Sequence, residues 1–521
     1  MNNGVPKCNS PRSRNDSCLI CQNSVNQGVG LSPALTGQAG NRKIAAHSQP
    51  GEKALLRREE GDRCARTGGW ILMAALGCSE IALAEEPLRP IALGRLLVYP
   101  SAVASLTRDD NVFRANQEDP GLGVIANSST GIRPTLRFEL PLQKSSIKLA
   151  YSAQYLKYSA PELDNTGRLS QYLELDSRFQ LTSTLRIQAQ EHWVRGVTGL
   201  REVDPGGELR FGTRPFRVEN SGAALSLDTG AMQSIMLGGR LEKTRFDSGG
   251  DRQPLFNLDR EELYSRYVVS TGPADQYYFN FSVQNVSQSR QQLDLQPSDF
   301  QRRSAGLGIQ REVSKGLGTE MLVSYATTRF DDARAKPFRG VMLDGSIASR
   351  LSDRTELQLN LRRAPLQSFF NVNAYYLNQE GRLAFRHEIS RRIHFGLEGV
   401  YQANDYPQAV RVRVNGPEEA RFDTAPQDGK LDAYVNLEPS EGRHRRDRIR
   451  GEGLTLGYDL LRAMRFEVGY HRERRESNIT AVKCLDPSFP LESCPTSNRR
   501  EYDIFDASSH QVTASLAFGW Q

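Results

Sequence analysis

The chain lacks any long apolar run after residue 80. No stretch there approaches the ~18 consecutive apolar residues that a membrane-spanning helix needs. At 521 residues, with 38% apolar content and a negative mean hydropathy, the chain has room for several soluble domains or one large barrel. A helical membrane protein is excluded, so a membrane crossing would have to use strands.

Cysteine is also scarce, and most of it lies before residue 85. Cys18 and Cys21 have the spacing of a metal clip, but a single C-x-x-C with no second pair is a weak signal. Cys484 and Cys494 lie within one polar segment of a chain that we expect to be exported, and predict a disulfide that pins a loop. We expect no cofactor.

Little net charge remains once the first 84 residues are set aside. They hold 10 Lys and Arg against 6 Asp and Glu, which leaves 57 against 55 for the rest of the chain. The basic surface that nucleic-acid binding requires is therefore missing, and no nucleic-acid partner is expected.

Catalytic motifs are absent too. The histidines stand in no H-E-x-x-H pattern, and no G-x-S-x-G occurs. A nucleophile, a base and an acid could still converge in space, so an outer-membrane barrel enzyme stays as the least favoured alternative. We expect no enzyme.

A short apolar segment at residues 70–76 follows Arg63 and Arg66 and precedes Ala82-Leu83-Ala84. This arrangement predicts a secretory signal that is cleaved after Ala84. Residues 1–84 are expected to form a disordered leader plus signal peptide, and their length indicates a start codon assigned too far upstream. Residues 85–95 are predicted to be a short periplasmic segment, and residues 96–521 a barrel.

Apolar and polar residues alternate with period 2 from Leu96 to Trp520, which predicts strands throughout. The last strand places Val512, Leu516 and Trp520 on one face, as a transmembrane strand requires. It is also the strand that barrel assembly machinery would engage. A soluble sandwich could share this pattern, so the connections must decide.

Short and long connections alternate along the chain. Tight turns are predicted near residues 143–145, 182–184, 228–230, 273–275, 314–316, 352–354, 390–392 and 460–462, with long polar loops between them, the longest at 404–446. Nothing in a soluble sandwich or propeller sorts connections in this way. The pattern predicts a single closed up-and-down antiparallel transmembrane β-barrel of about 18 strands, with 16 as the alternative, in the outer membrane of a Gram-negative bacterium.

Three short motifs resemble a family of outer-membrane β-barrel porins whose members often accompany exopolysaccharide and exosortase systems. They are Tyr99-Pro100-Ser101 leading into Thr107–Arg114, Asp204-Pro205-Gly206-Gly207, and Leu516–Trp520. The resemblance implies a barrel that serves as a passage for secreted polysaccharide.

The face opposite the lipid should line the lumen. Candidate lumen residues are Arg133, Arg137, Glu139, Glu174, Asp176, Arg178, Arg186, Glu356, Arg362, Arg386 and Glu467. Their mixed charge gives no single-sign field and suits neutral hydrophilic solutes. For any single side chain, a cross-strand charge pair that stiffens the wall is the better interpretation.

Two further features have competing interpretations. Asp109 and Asp110 are weak calcium candidates, because a single acidic cluster lacks the six to eight ligands of calcium and a rim turn explains it better. The Arg443–Arg448 run could bind lipopolysaccharide phosphates, narrow the pore, or lie solvated on a loop.

Together these features predict a porin-like channel that passes hydrophilic solutes and takes part in exopolysaccharide export. The expected partners are outer-membrane lipid and lipopolysaccharide, a hydrophilic solute or polysaccharide, and the barrel assembly machinery. A non-conducting scaffold of a polysaccharide secretion machine is the main alternative.

Overall fold

A computed structural model describes the chain from residue 90 to residue 519, with internal gaps. The gaps are residues 113, 115–123, 160–167, 198–200, 204–208, 212–214, 247–256, 273, 290–298, 315, 334, 369–372, 415–434, 485–494, 496, 498 and 503–505. Each regular element in the described residues is a β-strand, which confirms the all-β class. In this part of the chain, no helix has the length and apolar character to span a membrane.

Eighteen strands of the described residues form one antiparallel barrel. They are β2 (Leu96–Asp109), β3 (Asn127–Pro141), β4 (Ser146–Tyr158), β5 (Arg168–Gln180), β6 (Leu185–Val197), β9 (Pro215–Gly230), β10 (Gln233–Phe246), β11 (Asn257–Ser270), β12 (Asp275–Ser289), β13 (Phe300–Ser314), β14 (Leu317–Phe330), β15 (Arg339–Ser352), β16 (Thr355–Gln367), β17 (Tyr375–Glu388), β18 (Ile393–Val414), β19 (Val435–Leu461), β20 (Met464–Ser477) and β23 (Ala507–Gly519). The predicted count of 18 is confirmed.

The barrel closes between its first and last strands. Thr107 of β2 lies opposite Ser129 of β3 on one side and opposite Thr513 of β23 on the other. The hydroxyl oxygens of Thr107 and Thr513 are 3.1 Å apart and form a buried hydrogen bond across this seam. Closure leaves no unpaired sheet edge in the lipid, which is the condition for crossing a membrane with strands.

The connections sort as predicted, with short turns at one end of the barrel and long segments at the other. Some boundaries differ from the prediction. The turn placed at 228–230 lies at residues 231–232. The 404–446 loop is partly strand, because β18 and β19 continue to pair up to Val414 and Val435.

Five short strands lie outside the ring, and four of them belong to the long-loop end. β1 (Ile91–Leu93) pairs with the start of β2, and β7 (Arg201–Val203) pairs with β8 (Leu209–Phe211). β21 (Ala481–Cys484) runs parallel to the extended part of β18 and pairs with β22 (Arg499–Tyr502). The pairing of β21 with β18 continues the sheet beyond the barrel ring on the side that carries the long connections.

Candidate functional site: the inner wall of the barrel

Alternation along each strand defines an outer surface and an inner wall. Leu263 and Leu307 are exposed outward at 71% and 69% of their surface, as lipid-facing side chains are once lipid is absent. Their strand neighbours point to the other side and are often polar, for example Glu262 and Tyr264 beside Leu263. We call the residues on this second side the inner wall.

The predicted lumen residues alternate with outward apolar side chains. On β3, Leu136 is exposed outward. Arg133, Arg137 and Glu139 lie an odd number of residues from it, so they point to the opposite side. The other candidates have the same phase on their strands: Glu174, Asp176 and Arg178 on β5, Arg186 on β6, Glu356 and Arg362 on β16, Arg386 on β17 and Glu467 on β20. These positions place them on the inner wall.

Near the short-turn end, three of the predicted residues, Asp176, Arg178 and Arg186, take part in ion pairs. Arg186 Nη2 lies 2.6 Å from Asp228 Oδ1 across β6 and β9. Arg178 Nε lies 3.2 Å from Asp176 Oδ1 on the same strand. Each pair is partly exposed, so it contributes little to stability while cancelling charge on the wall.

Further along the inner wall, towards the long-loop end, the same pattern continues. Arg260 Nη1 lies 2.7 Å from Glu242 Oε2 between β11 and β10. Arg382 Nε lies 3.1 Å from Glu398 Oε1 between β17 and β18. Acid and base therefore alternate around the wall instead of segregating into positive and negative sectors.

A histidine joins one of these networks at the short-turn end of β18 to β20. His394 Nε2 lies 2.6 Å from Asp459 Oδ2, and Arg465 Nε lies 2.6 Å from Asp459 Oδ1. The carboxylate is thus shared between an imidazole and a guanidinium.

The most deeply buried charges of the described residues lie at the long-loop end. Arg445 Nη2 lies 2.7 Å from Asp447 Oδ2, and both side chains have no exposed surface. Arg475 Nη1 lies 3.8 Å from the same carboxylate oxygen, and Ser477 Oγ donates to Asp447 Oδ1 at 2.8 Å. The guanidinium of Arg445 also stacks 4.5 Å from the ring of Tyr406.

This burial corrects the interpretation of Arg443–Arg448 as a single basic loop. The run belongs to β19, so its side chains alternate between the two faces. Arg445 and Asp447 point inward and are buried, whereas Arg446 points outward and pairs with Asp405. The alternation is present in the sequence, but these residues are all polar. They could be assigned to a strand only by extending the apolar strand that follows Arg450 towards its N-terminal side.

The calcium candidates take different partners. Asp109 accepts hydrogen bonds from the Asn111 backbone N–H at 2.9 Å and from Arg114 Nη1 at 2.8 Å, whereas Asp110 accepts from the backbone N–H of His510 at 2.6 Å. In the described part of the chain, no three His, Cys, Asp or Glu side chains are grouped to hold a metal ion. The aspartates act as rim-turn acceptors.

Arg114 links this turn to the barrel. Burial opposes its charge, but Glu473 at 3.9 Å and Asp109 together raise the pKa of Arg114 above its ordinary value. The guanidinium therefore stays charged and fixes the turn against β20.

Sequence reasoning missed the apolar packing at the long-loop end of the inner wall. One cluster joins strands β11 to β14, the connection between β14 and β15, and the start of β17. Its buried members are Leu258, Val286, Phe300, Ala326, Phe330, Phe338 and Tyr375. Two others contain Val194, Phe216, Val218 and Phe246, and Leu366, Tyr376 and Tyr406. All three are buried.

In these segments the polarity of the strands is inverted. Phe216 and Val218 are buried while Arg217 between them is exposed, and Phe330 is buried while Arg329 is exposed. A transmembrane strand needs only about 9 to 11 residues, and most strands here have 13 to 16. The additional residues lie beyond the acyl chains, where the outside is polar and the inside forms a packed core.

The predicted disulfide lies outside the described residues. The backbone of Cys484 ends β21, but Cys494 falls in the gap at 485–494. The bond therefore stays a prediction.

A closed barrel with an apolar exterior band and a polar interior defines the class of outer-membrane β-barrel proteins. The family model described as "Putative beta-barrel porin 2" matches residues 90–420 of the chain, which therefore belongs to this family. The protein is a porin-like barrel of a Gram-negative outer membrane, as the sequence predicted.

Among solved structures, the outer-membrane protein OpdK from Pseudomonas aeruginosa is similar, with 10% identity, coverage of 81% of this chain and 99% of that one, and a TM-score of 0.41. OccK2 (OpdF) of the same organism has 12% identity, coverage of 81% and 98%, and a TM-score of 0.41. The alcaligin receptor FauA from Bordetella pertussis has 9% identity, coverage of 84% and 77%, and a TM-score of 0.35. No curated protein matches the chain significantly.

Proposed function

We propose that the protein is a channel for hydrophilic solutes and that its solute is secreted polysaccharide. The observation that carries this proposal is the charge-paired inner wall, as in Arg186 with Asp228 and Arg382 with Glu398. A wall whose acids and bases neutralise each other has no strong preference for cations or anions. It suits a neutral, hydroxyl-rich solute, and the proposal assigns no catalytic step to the protein.

Uncharged hydrogen-bonding groups on the inner wall support the same solute class. β12 and β13 place Asn280, Ser282 and Ser304 there, with the hydroxyl oxygens of the two serines 2.9 Å apart. Hydroxyl and amide groups exchange hydrogen bonds with sugar hydroxyls at little cost, because both donate and accept. A chain of saccharide units could therefore move along the wall without meeting a charged trap.

The apolar clusters favour a second candidate, a barrel that does not conduct and serves as a scaffold for polysaccharide secretion. Phe338 lies in the connection between β14 and β15, yet it is buried against residues of the inner wall. Packing of this kind narrows the long-loop end. The two candidates differ in conductance.

Planar-bilayer recordings test the proposal. The purified barrel should give stepwise currents with weak cation-to-anion selectivity, and neutral oligosaccharides should reduce these currents in a concentration-dependent way. Currents that no oligosaccharide blocks would refute the polysaccharide assignment while leaving a general porin. If heat-modifiable gel mobility shows that the barrel is folded and it still carries no current, the scaffold would be favoured.

Charge balance can be tested at a single side chain. Glu398→Gln leaves Arg382 without its carboxylate partner, so the relative permeability to anions should rise by about two- to threefold, the effect of a local potential change near kT. Glu219→Gln is the matched control, because Glu219 is a similarly exposed partner of Arg217 on the outer surface. Equal reversal potentials for the two variants would contradict the placement of Glu398 in the conducting path.

A further inference from the structure

We infer that Arg303, Arg329 and Arg339 form a binding site for the phosphate groups of lipopolysaccharide on the outer surface of the barrel. The three residues, called here the arginine patch, lie on the adjacent strands β13, β14 and β15. This inference concerns the lipid-facing surface and is independent of what the barrel transports.

The register places the three side chains close together. Arg303 lies opposite Thr327 of β14, and Thr327 lies opposite Arg339 of β15. Arg329 is two residues further along β14, on the same face. Since adjacent strands are about 4.8 Å apart, the three guanidinium groups can reach a single phosphorylated headgroup.

The height of the patch matches the lipid headgroups. The next outward position below Thr327 is Tyr325, which is 55% exposed and lies opposite Val341 of β15, itself exposed. Below them follow Val323 and Leu307, opposite each other and both exposed. An aromatic at the end of an apolar band marks the membrane interface, so the arginines begin where the acyl chains end. The long connections on this side of the barrel identify it as the extracellular side, whose leaflet contains lipopolysaccharide.

The patch differs from other arginines at this rim in having no acidic partner. Arg217 lies 3.3 Å from Glu219, Arg245 lies 2.6 Å from Asp259, and Arg474 lies 3.0 Å from Glu476, so each of these is neutralised within the protein. Arg303, Arg329 and Arg339 are exposed, and in the described residues none of them forms an ion pair.

The nearest acidic groups do not supply the missing charge. Asp299 lies at the rim of the same strands, where its carboxylate accepts hydrogen bonds from the Gln288 backbone N–H at 2.8 Å and the Ser287 hydroxyl at 3.2 Å. Asp331 begins the next connection, two residues past Arg329, and among the described residues its carboxylate forms no ion pair with the arginine patch. The outward face of β13 to β15 itself carries no Asp or Glu between Arg303 and the short-turn end. Three unneutralised guanidiniums at a headgroup level are complementary to phosphate, which they bind through paired N–H donors.

The test is a titration of the purified, folded barrel with lipopolysaccharide. Binding is measured by native mass spectrometry or by the rise in melting temperature that the lipid causes. Arg303→Gln/Arg329→Gln/Arg339→Gln should weaken binding by about 100-fold, or roughly 3 kcal/mol, because each arginine near an anionic lipid surface contributes about 1 kcal/mol. Arg217→Gln/Arg245→Gln/Arg474→Gln removes three ion-paired arginines from the same rim and should leave the affinity within about threefold of the original.

Two comparisons distinguish the phosphate groups of lipopolysaccharide from those of ordinary phospholipids. Enzymatically dephosphorylated lipopolysaccharide should bind the unaltered protein as weakly as the patch variant binds the intact lipid. Vesicles of phosphatidylglycerol should bind both proteins with less than a tenfold difference, since single-phosphate lipids do not span the patch. Equal affinity of the patch and control variants for intact lipopolysaccharide, or undiminished binding of the dephosphorylated lipid, would overturn the assignment. Heat-modified gel mobility confirms folding, and if the triple variant does not fold, Arg339→Gln alone should weaken binding about fivefold.

Discussion

Asp447→Ala is expected to destabilise the barrel by about 3–5 kcal/mol, because it removes the carboxylate from a buried ion-paired network. Arg445 is bound to this carboxylate by two hydrogen bonds of 2.7 and 3.0 Å, and neither side chain has any exposed surface. The positive charge would stay buried after the acid is lost. Chemical unfolding in detergent micelles, followed by tryptophan fluorescence and gel mobility, measures the effect.

Glu476→Ala is the matched control for this prediction. It removes the acid of an ion pair with Arg474 that is 3.0 Å long and substantially exposed. Solvent screening limits its expected cost to less than about 1 kcal/mol. If both variants unfold at the same denaturant concentration, the buried network does not stabilise the long-loop end.

Phe338→Ala is expected to release the connection between β14 and β15 from the inner wall and to increase the single-channel conductance. The ring of Phe338 packs edge-on against Tyr375 at 5.8 Å and is 6% exposed. Truncation of a buried aromatic costs about 3–5 kcal/mol, which is enough to detach a short loop. Bilayer recordings and limited proteolysis between residues 331 and 338 measure the two consequences.

A phenylalanine on the outer surface provides the control for Phe338. Phe279 of β12 faces outward and is 47% exposed, so Phe279→Ala should leave conductance and loop proteolysis unchanged. Unchanged conductance of Phe338→Ala, together with faster proteolysis of the loop, would show that the loop does not restrict the passage.

The fold could be predicted because lipid imposes the same demand on each strand. Outward positions such as Leu136 and Leu307 must be apolar, and a closed sheet needs turns at one end and loops at the other. Both requirements are visible in the sequence, as alternating apolar residues and as alternating short and long connections. The closing strand, with Val512, Leu516 and Phe518 outward, is the clearest case.

Beyond the lipid, the strands no longer show this outward apolar alternation. At the ends of β9 and β14, Arg217 and Arg329 face outward while Phe216, Val218 and Phe330 pack inside, so the hydrophobic phase reverses within one strand. The assumption that apolar residues point outward therefore assigns the wrong face to the residues of this region. The part of β19 at residues 443–448 escaped recognition for a different reason, since charged residues such as Arg445, Arg446 and Asp447 occupy both of its faces.

Residue positions on the inner wall could be predicted from alternation, but their partners could not. Arg186 was a lumen candidate, whereas its partner Asp228 was interpreted as part of a turn, and the pair forms only because β6 lies beside β9. Pairing across strands that are distant in sequence depends on register, which a single sequence specifies weakly in polar positions.

The central claim is that one set of side chains on each strand faces lipid while the alternate set faces a hydrated interior. Spin labels attached one at a time at positions 132 to 137 of β3, with the seven native cysteines replaced by serine and the protein in lipid vesicles, test it most directly. Labels at 132, 134 and 136 should be relaxed by oxygen dissolved in the bilayer, and labels at 133, 135 and 137 by a water-soluble nickel complex. Equal relaxation of both sets by oxygen alone would contradict a hydrated interior and with it the proposed channel.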